Sequence, residues 1–118
     1  MNTQIQRGGI YYAELTDAVG SEQRGYRPVL CLQNEKGNQF SPTIIVAAIT
    51  GKVEKKPLQP THYHLSAEYG LTRNSIVMLE QLRTIDKSRL CRYIGRLDEK
   101  TMRGIDNALL ISIGLKAE

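Results

Sequence analysis

Two residues at the ends of strand-like segments have side chains suited to phosphoryl chemistry. Arg27 stands before a proline, which favours extended backbone and places this guanidinium at the start of a strand. Thr50 ends an almost wholly apolar segment and offers a hydroxyl there. A guanidinium presents a planar fork of donors that matches two phosphoryl oxygens, and a hydroxyl adds one more directed donor. Together these groups could stabilise a phosphate that is gaining negative charge.

Metal-free cleavage of an RNA phosphodiester sets three requirements. The 2′-hydroxyl must lose its proton, the phosphorane dianion must be stabilised, and the leaving 5′-oxygen must gain a proton. Glu22, in the polar loop before Arg27, could accept the first proton, although the neighbouring guanidinium would lower its basicity. Capping or salt-bridge roles also suit these residues, and from residue type alone they are the preferred interpretation.

Other catalytic signatures are missing from the sequence. It has no glycine-rich nucleotide loop, no Gly-x-Ser-x-Gly and no Cys-x-x-Cys. His62 and His64 would point to one face of a short strand, but two histidines without a third ligand make a poor metal site. We therefore expect a structural role for the histidines, and we expect neither a metal nor a cofactor.

Composition favours a single cytoplasmic domain over residues 1–118. The first residues lack the apolar core of a signal peptide, and the longest apolar run, 44–49, is too short to span a bilayer. Cys31 and Cys91 lie in apolar, strand-like segments without metal-type spacing, so both are predicted to be reduced and buried.

Positive charge is concentrated in one stretch of the sequence. The formal net charge is +4, and residues 83–96 alone hold five basic side chains against one acid, Asp86. Lysines at 52, 55 and 56 form a smaller group. Clustered positive charge suits a polyanionic partner, either RNA or an acidic peptide, while a solvated basic face is an equally good interpretation.

Hydrophobic patterning predicts a mainly β fold with a C-terminal α-helix. Strands are predicted at 9–15, 27–34, 43–50, 62–65, 75–79, 83–86 and 91–97, with a turn at 35–38 and a close approach or bulge at Gly95. Asp98 is a predicted N-cap, and the following apolar residues repeat at helical spacing toward the core: Met102, Ile105, Leu109 and Ile113. This order of elements favours a small, partly open antiparallel barrel with a helix packed on it.

Several motifs together resemble one family. They are Arg7-Gly-Gly-Ile-Tyr-Tyr-Ala, Gly20-Ser-Glu-Gln, Arg27-Pro-Val-Leu, Gln33-Asn34, Asn38-x-Phe-Ser-Pro-Thr-x-Ile-Val-Ala-Ala-Ile-Thr50 and Glu80-Gln-x-Arg-Thr-Ile-Asp86. In this combination the chain is similar to the MazF/PemK/Kid toxins of bacterial type II toxin–antitoxin pairs, nearest to the Gram-positive MazF (EndoA) branch. The resemblance runs from Arg7 to the C-terminal helix.

The resemblance implies an SH3-like small barrel of the CcdB/PemK/MazF type and a homodimer. It also implies sequence-specific cleavage of single-stranded RNA, chiefly mRNA, and inhibition by a MazE-like antitoxin. The family's catalytic positions match Arg27, Thr50 and, less firmly, Glu22. Its RNA-binding positions match Ser21, Gln33, Asn34, Phe40, Glu80, Gln81 and Arg83. For Phe40, either an exposed stacking face or burial in the core is compatible with the sequence.

Two departures from the family pattern and two rival functions remain open. Gly9 stands where relatives often have Asp, and Arg24-Gly25 replaces a common glycine pair. Neither departure affects the Arg27/Thr50 pair.

The rival functions are a gyrase-poisoning toxin like CcdB and an RNA-binding module without catalysis. The former relies on a tryptophan-containing C-terminus, and this chain has no Trp.

Overall fold

The computed structural model describes residues 5–16, 20, 25–53 and 59–118. In this part of the chain six strands form one antiparallel sheet of order β4-β5-β3-β2-β1-β6. The strands are β1 Gly9–Glu14, β2 Tyr26–Cys31, β3 Thr43–Thr50, β4 His62–Leu65, β5 Ser75–Asp86 and β6 Leu90–Arg96. Helix α1 (Glu35–Phe40) joins β2 to β3, and helix α2 (Glu99–Ser112) follows β6.

Alternate residues of the strands fill two hydrophobic clusters on opposite faces of the sheet. On the face that packs against α2, here called the helix face, Leu30, Ala47 and Val77 are buried with Ile105 of α2. On the other face, the opposite face, Tyr11, Val29 and Val46 are buried with their neighbours. The nearly continuous apolar runs of β2 and β3 follow from this burial on both faces.

The two ends of the strand order approach each other. At Gly95 of β6 an added Cβ would overlap the carbonyl oxygen of Tyr69, and at Gly70 it would overlap that of Ile94. Gly70 also has a φ of +86°, which favours glycine. The loop between β4 and β5 therefore lies directly on edge strand β6. This contact confirms the predicted close approach at Gly95 and gives the sheet its partly closed shape.

Residues 35–38, predicted as a turn, form the first part of helix α1. Asn34 caps it through a hydrogen bond that Gly37 N donates to Asn34 Oδ1 at 2.8 Å. At the other end Lys87 Nζ donates to the carbonyls of Gly37 (3.0 Å) and Asn38 (2.6 Å). A helix this short with an internal glycine is unstable on intrinsic propensity alone. Its formation therefore depends on these tertiary contacts.

The structure of β5 differs from the two strands predicted for this segment. The segments predicted as 75–79 and 83–86 are one strand, interrupted by a bulge rather than a loop. Ala48 pairs with Met78 while Ala47 pairs with Leu82, so residues 79–81 are extra on β5. Such a bulge bends a strand and redirects its side chains. Strand β2 also ends at Cys31, three residues earlier than predicted.

Helix α2 begins as predicted, with Asp98 Oδ1 accepting a hydrogen bond from Thr101 N at 2.7 Å. Ile105 is fully buried, and Met102 and Leu109 pack against the same cluster. Ile113 is 51% exposed, so its predicted core role is wrong: it is the C-cap, and Ala108 is buried instead.

The cysteines are both free, as predicted, but only Cys31 is buried. Cys91 is exposed because β6 is an edge strand whose side chains largely face solvent. Within the described ranges no helix has both the length and the apolar character needed to cross a membrane.

Candidate active site

A cavity of about 230 Å³ lies where β2 begins and β3 ends. Its walls include three cationic side chains, Arg27, Lys52 and Arg73, and the hydroxyl residues Thr72 and Ser75. Arg27 is half-buried, whereas Lys52 and Arg73 are exposed. Three positive charges around one small cavity favour an anionic ligand, and guanidinium groups suit phosphate oxygens in particular.

Thr50 stands beside this cavity at the end of β3 and is 2% exposed. Its Oγ1 accepts a hydrogen bond from Lys52 N at 3.2 Å, which fixes the hydroxyl and the turn out of the strand. Because a hydroxyl both donates and accepts, its hydrogen stays available for a second partner. Gly51 and Lys52, the next two residues, line the cavity.

Two tyrosines form an aromatic wall of the same cavity. Tyr26 is 66% exposed, next to Arg27. Tyr12 pairs with Pro28 on one side and Arg92 on the other, and the Arg92 guanidinium lies 5.1 Å from the Tyr12 ring centroid. This cation–π contact holds the Tyr12 ring in place. An exposed tyrosine beside a guanidinium offers a surface on which a nucleobase could stack.

Lys52 and Arg73 were not predicted as site residues. The sequence places Lys52 in a small lysine group that suits either a polyanionic partner or a solvated face, and its position two residues after Thr50 is a usable signal. Arg73 carries no sequence signal, because it lies in the loop before β5, far from Arg27 along the chain. Its position is set by folding: an added Cβ at Gly51 would overlap Arg73 Cδ, so the arginine stem lies directly on Gly51.

Three further predicted residues lie on β5, Glu80 and Gln81 in its bulge and Arg83 just after it. Arg83 pairs with Val46 and so shares the opposite face with Ile85 and Val46. Gln81 is turned toward Met78, with Nε2 3.7 Å from Sδ. Glu80 binds the buried His62, with Oε2 2.9 Å from Nε2, and accepts a hydrogen bond from Thr61 Oγ1. The histidine is thus bonded within the fold, in keeping with its predicted structural role.

Gln33, Asn34 and Phe40 lie away from the cavity, around α1. Arg27 lies near the start of β2, whereas Gln33 follows the end of that strand. Gln33 is 6% exposed and donates to Thr43 O at 2.9 Å, while Asn34 caps α1. Phe40 is 74% exposed, which rules out burial within this chain and leaves a free ring face. A ligand that contacts both groups of residues must run along the sheet.

Ser21 and Glu22 lie outside the described residues. Among the described residues that line the cavity, none is a carboxylate or a histidine. Burial raises the pKa of the Tyr11 hydroxyl and of the Cys31 thiol, so both stay protonated at neutral pH. Neither group is therefore suited to accept a proton. In the described ranges no three His, Cys, Asp or Glu side chains are grouped so as to hold a metal ion.

The basic run at 83–96 does not form one charged surface. Lys87 is engaged with the carbonyls of α1, and Arg92 lies over Tyr12. The five basic residues are also distributed over different elements, with Arg83 in β5, Lys87 and Arg89 in the turn after it, and Arg92 and Arg96 in β6. A concentration of positive charge lies around Arg27, Lys52 and Arg73, and Arg92 is close to it because Tyr12 lines the same cavity.

Comparison with known proteins agrees with this fold. A family model described as "PemK-like, MazF-like toxin of type II toxin-antitoxin system" matches residues 6–113. Endoribonuclease EndoA of Bacillus subtilis (strain 168) is 53% identical over 112 residues, which cover 94% of this chain and 96% of the relative. Endoribonuclease MazF of Staphylococcus saprophyticus is 46% identical over 112 residues, which cover 94% and 92%.

Among solved structures, Mycobacterium tuberculosis toxin MazF-mt6 matches with a TM-score of 0.77 at 27% identity, covering 92% of this chain and 98% of that chain. Fold and site together define a small antiparallel β protein with a cationic cavity at the strand ends. The chain belongs to the PemK-like, MazF-like toxin family of type II toxin–antitoxin systems. The predicted family and fold class are thereby confirmed.

Proposed function

We propose that this chain is a sequence-specific endoribonuclease that cleaves single-stranded RNA, chiefly mRNA, without a metal ion. The observation that carries the proposal is the cavity that gathers Arg27, Lys52 and Arg73 beside the Thr50 hydroxyl. Endoribonuclease activity is further supported by the names of the two curated relatives. The proposed setting is a cytoplasmic homodimer, with RNA along the dimer interface.

In the proposed reaction the 2′-oxygen attacks the adjacent phosphorus while its proton passes to a base, for which Glu22 is the candidate. Arg27 holds two oxygens of the phosphorane, and the Thr50 hydroxyl donates to the same charge. The bond from phosphorus to the 5′-oxygen then breaks, and that oxygen takes up a proton from water. The products are a 2′,3′-cyclic phosphate and a 5′-hydroxyl, because the attacking oxygen is internal to the RNA.

Other family-matched positions are proposed to bind the RNA. Gln81 and Arg83 lie on or beside the same sheet face as Thr50, and Phe40 presents an exposed ring for base stacking. Glu80 of β5 and Ser21 are also proposed to contact the RNA. Gln33 and Asn34 act from within the fold by holding α1, and through it Phe40, on the sheet.

The family description supports an antitoxin as the second partner. We propose a MazE-like protein whose acidic, flexible segment covers the cationic cavity. Disordered segments can wrap a large surface because they become ordered only on binding. Such a segment would compete with RNA for Arg27, Lys52 and Arg73.

One assay tests the catalytic proposal. Purified protein is incubated with a long single-stranded RNA in excess chelator, and the 5′ ends of the fragments are sequenced and their termini identified. We expect cleavage at a recurrent short sequence, with 5′-hydroxyl products. Cleavage that chelator abolishes, or 5′-phosphate products, would contradict the mechanism. RNA binding without cleavage would support the non-catalytic RNA-binding module. Gyrase inhibition with neither RNA binding nor RNA cleavage would support the gyrase-poisoning alternative.

A further inference from the structure

We propose that Arg73 binds the RNA phosphate next to the one held at Arg27, and that the cavity beyond it accommodates the adjoining nucleotide. This inference rests on the proposed function, which it extends by a second phosphate subsite. It concerns binding rather than the chemical step. The residues that form it are Gly51, Val53, Arg73 and Asn74.

The first observation is a continuous depression. A second cavity, of about 470 Å³, is lined by Gly51, Val53, Arg73 and Asn74. It shares Gly51 and Arg73 with the cavity at Arg27. Arg73 therefore contributes to the lining of both spaces. This arrangement suits a chain of repeating anionic units better than a single small anion.

The second observation is the contact between Gly51 and Arg73. A Cβ at position 51 would overlap Arg73 Cδ, although the backbone of Gly51 is not in the left-handed region. A side chain at position 51 would therefore displace the arginine stem that lies on it. Because Gly51 follows Thr50 directly, this contact places the arginine stem next to the end of β3.

The third observation concerns charge. Arg73 forms no ion pair with any residue in the described ranges. The loop backbone is nevertheless held, since Ser75 Oγ donates to Arg73 O at 2.9 Å and Ala67 N donates to Asn74 Oδ1 at 3.0 Å. Within the described residues this backbone therefore presents a guanidinium with no carboxylate paired to it, which suits phosphate binding.

The experiment compares Arg73→Gln with Arg103→Gln, which removes the same charge from an exposed position on α2. The probe is a short single-stranded RNA containing the mapped cleavage site, with a 2′-deoxy nucleotide at the scissile position to prevent cleavage. We expect Arg73→Gln to weaken binding by about ten- to a hundredfold, the loss of one charge-assisted contact. The slope of log affinity against log salt should fall by about 0.7, the value for one phosphate in a single strand.

Replacing single phosphates of the probe with neutral methylphosphonates identifies the contact. Neutralising the phosphate on one side of the scissile position should weaken binding to the unsubstituted protein but have no further effect on Arg73→Gln. Arg73→Lys should restore most of the affinity, because a phosphate accepts lysine as a point charge. Gly51→Ala should reproduce part of the loss by displacing the arginine stem.

Cleavage kinetics separate this subsite from the chemical step. With the unmodified RNA, Arg73→Gln should raise KM while leaving kcat within a few-fold of its original value. The subsite is refuted if Arg73→Gln and Arg103→Gln have equal affinities and salt slopes. It is also refuted if every methylphosphonate weakens binding to Arg73→Gln as much as it weakens binding to the unsubstituted protein. If the unsubstituted protein neither binds nor cleaves RNA, the proposed function itself fails, and the inference fails with it.

Discussion

Arg27 of β2 and Thr50 of β3 come opposite each other when the register of their strands is extended. Val29 pairs with Ala48, and Arg27 and Thr50 each lie two residues farther toward the same end of the sheet. Since side chains two residues apart share a face, both point to the face away from α2. A guanidinium and a hydroxyl on neighbouring strands, 23 positions apart in sequence but adjacent in register, can contact one phosphate.

Arg27→Lys is expected to be nearly as damaging to cleavage as Arg27→Ala. Lysine keeps the charge but loses the planar pair of donors, and removing one preorganised donor typically costs about 3–4 kcal/mol of transition-state stabilisation, or about a hundredfold to a thousandfold in rate. The measurement is single-turnover cleavage beside binding of an uncleavable 2′-deoxy RNA, which should fall much less. Cleavage by Arg27→Lys within a few-fold of the unsubstituted protein would make Arg27 a binding residue only.

Thr50→Val is expected to slow cleavage by about ten- to a hundredfold, since it removes one hydrogen bond to a charged group. The variant also leaves Lys52 N without its acceptor, which should cost about 1 kcal/mol in the free energy of unfolding. Thr84→Val, at an exposed position of β5, is the control for replacing a strand threonine. Urea unfolding measures the folding cost separately, and equal cleavage rates for both variants would remove Thr50 from the mechanism.

RNA and antitoxin are expected to exclude each other. An acidic segment that covers Arg27, Lys52 and Arg73 would occupy the site of the RNA phosphates. Titrating the cognate antitoxin into a complex with labelled uncleavable RNA should release the RNA in proportion to antitoxin bound. A ternary complex with undiminished affinity for both partners would show that the two sites are separate.

Acid is expected to weaken the start of α2 through Asp98. The hydrogen bond from Thr101 N lowers the pKa of this carboxyl below its ordinary value of 3.8. A group with a lowered folded-state pKa stabilises the fold above its unfolded pKa, and that stabilisation is lost as pH falls through the folded-state pKa. Asp98→Asn, which keeps an acceptor oxygen, should therefore flatten the fall of Tm below about pH 4.

Glu99→Gln is the matched control for Asp98→Asn, because it removes one carboxylate from the next residue without touching the N-cap. Its Tm should keep more of the original acid dependence. The two variants are compared by thermal unfolding at a series of pH values. An acid dependence unchanged by Asp98→Asn would show that Asp98 does not contribute to it.

Local sequence was sufficient for much of the fold. The apolar run from Thr43 to Thr50 and the helical spacing after Asp98 predicted β3 and the start of α2, because period and capping are properties of neighbouring residues. The family motifs likewise depend on residues close in sequence, and they identified the family before the fold was known. Arg27 before proline was correctly placed near the beginning of a strand.

Tertiary contacts decided the rest. Helix α1 depends on Lys87, which reaches it from beyond β5, and Cys91 is exposed because of the place of β6 at the sheet edge. Arg73 enters the site only because the loop before β5 packs on Gly51. Such contacts join segments distant in sequence, so no local pattern encodes them. The sequence by itself determined which groups could act on a phosphate, and only the packed sheet determined which of them meet.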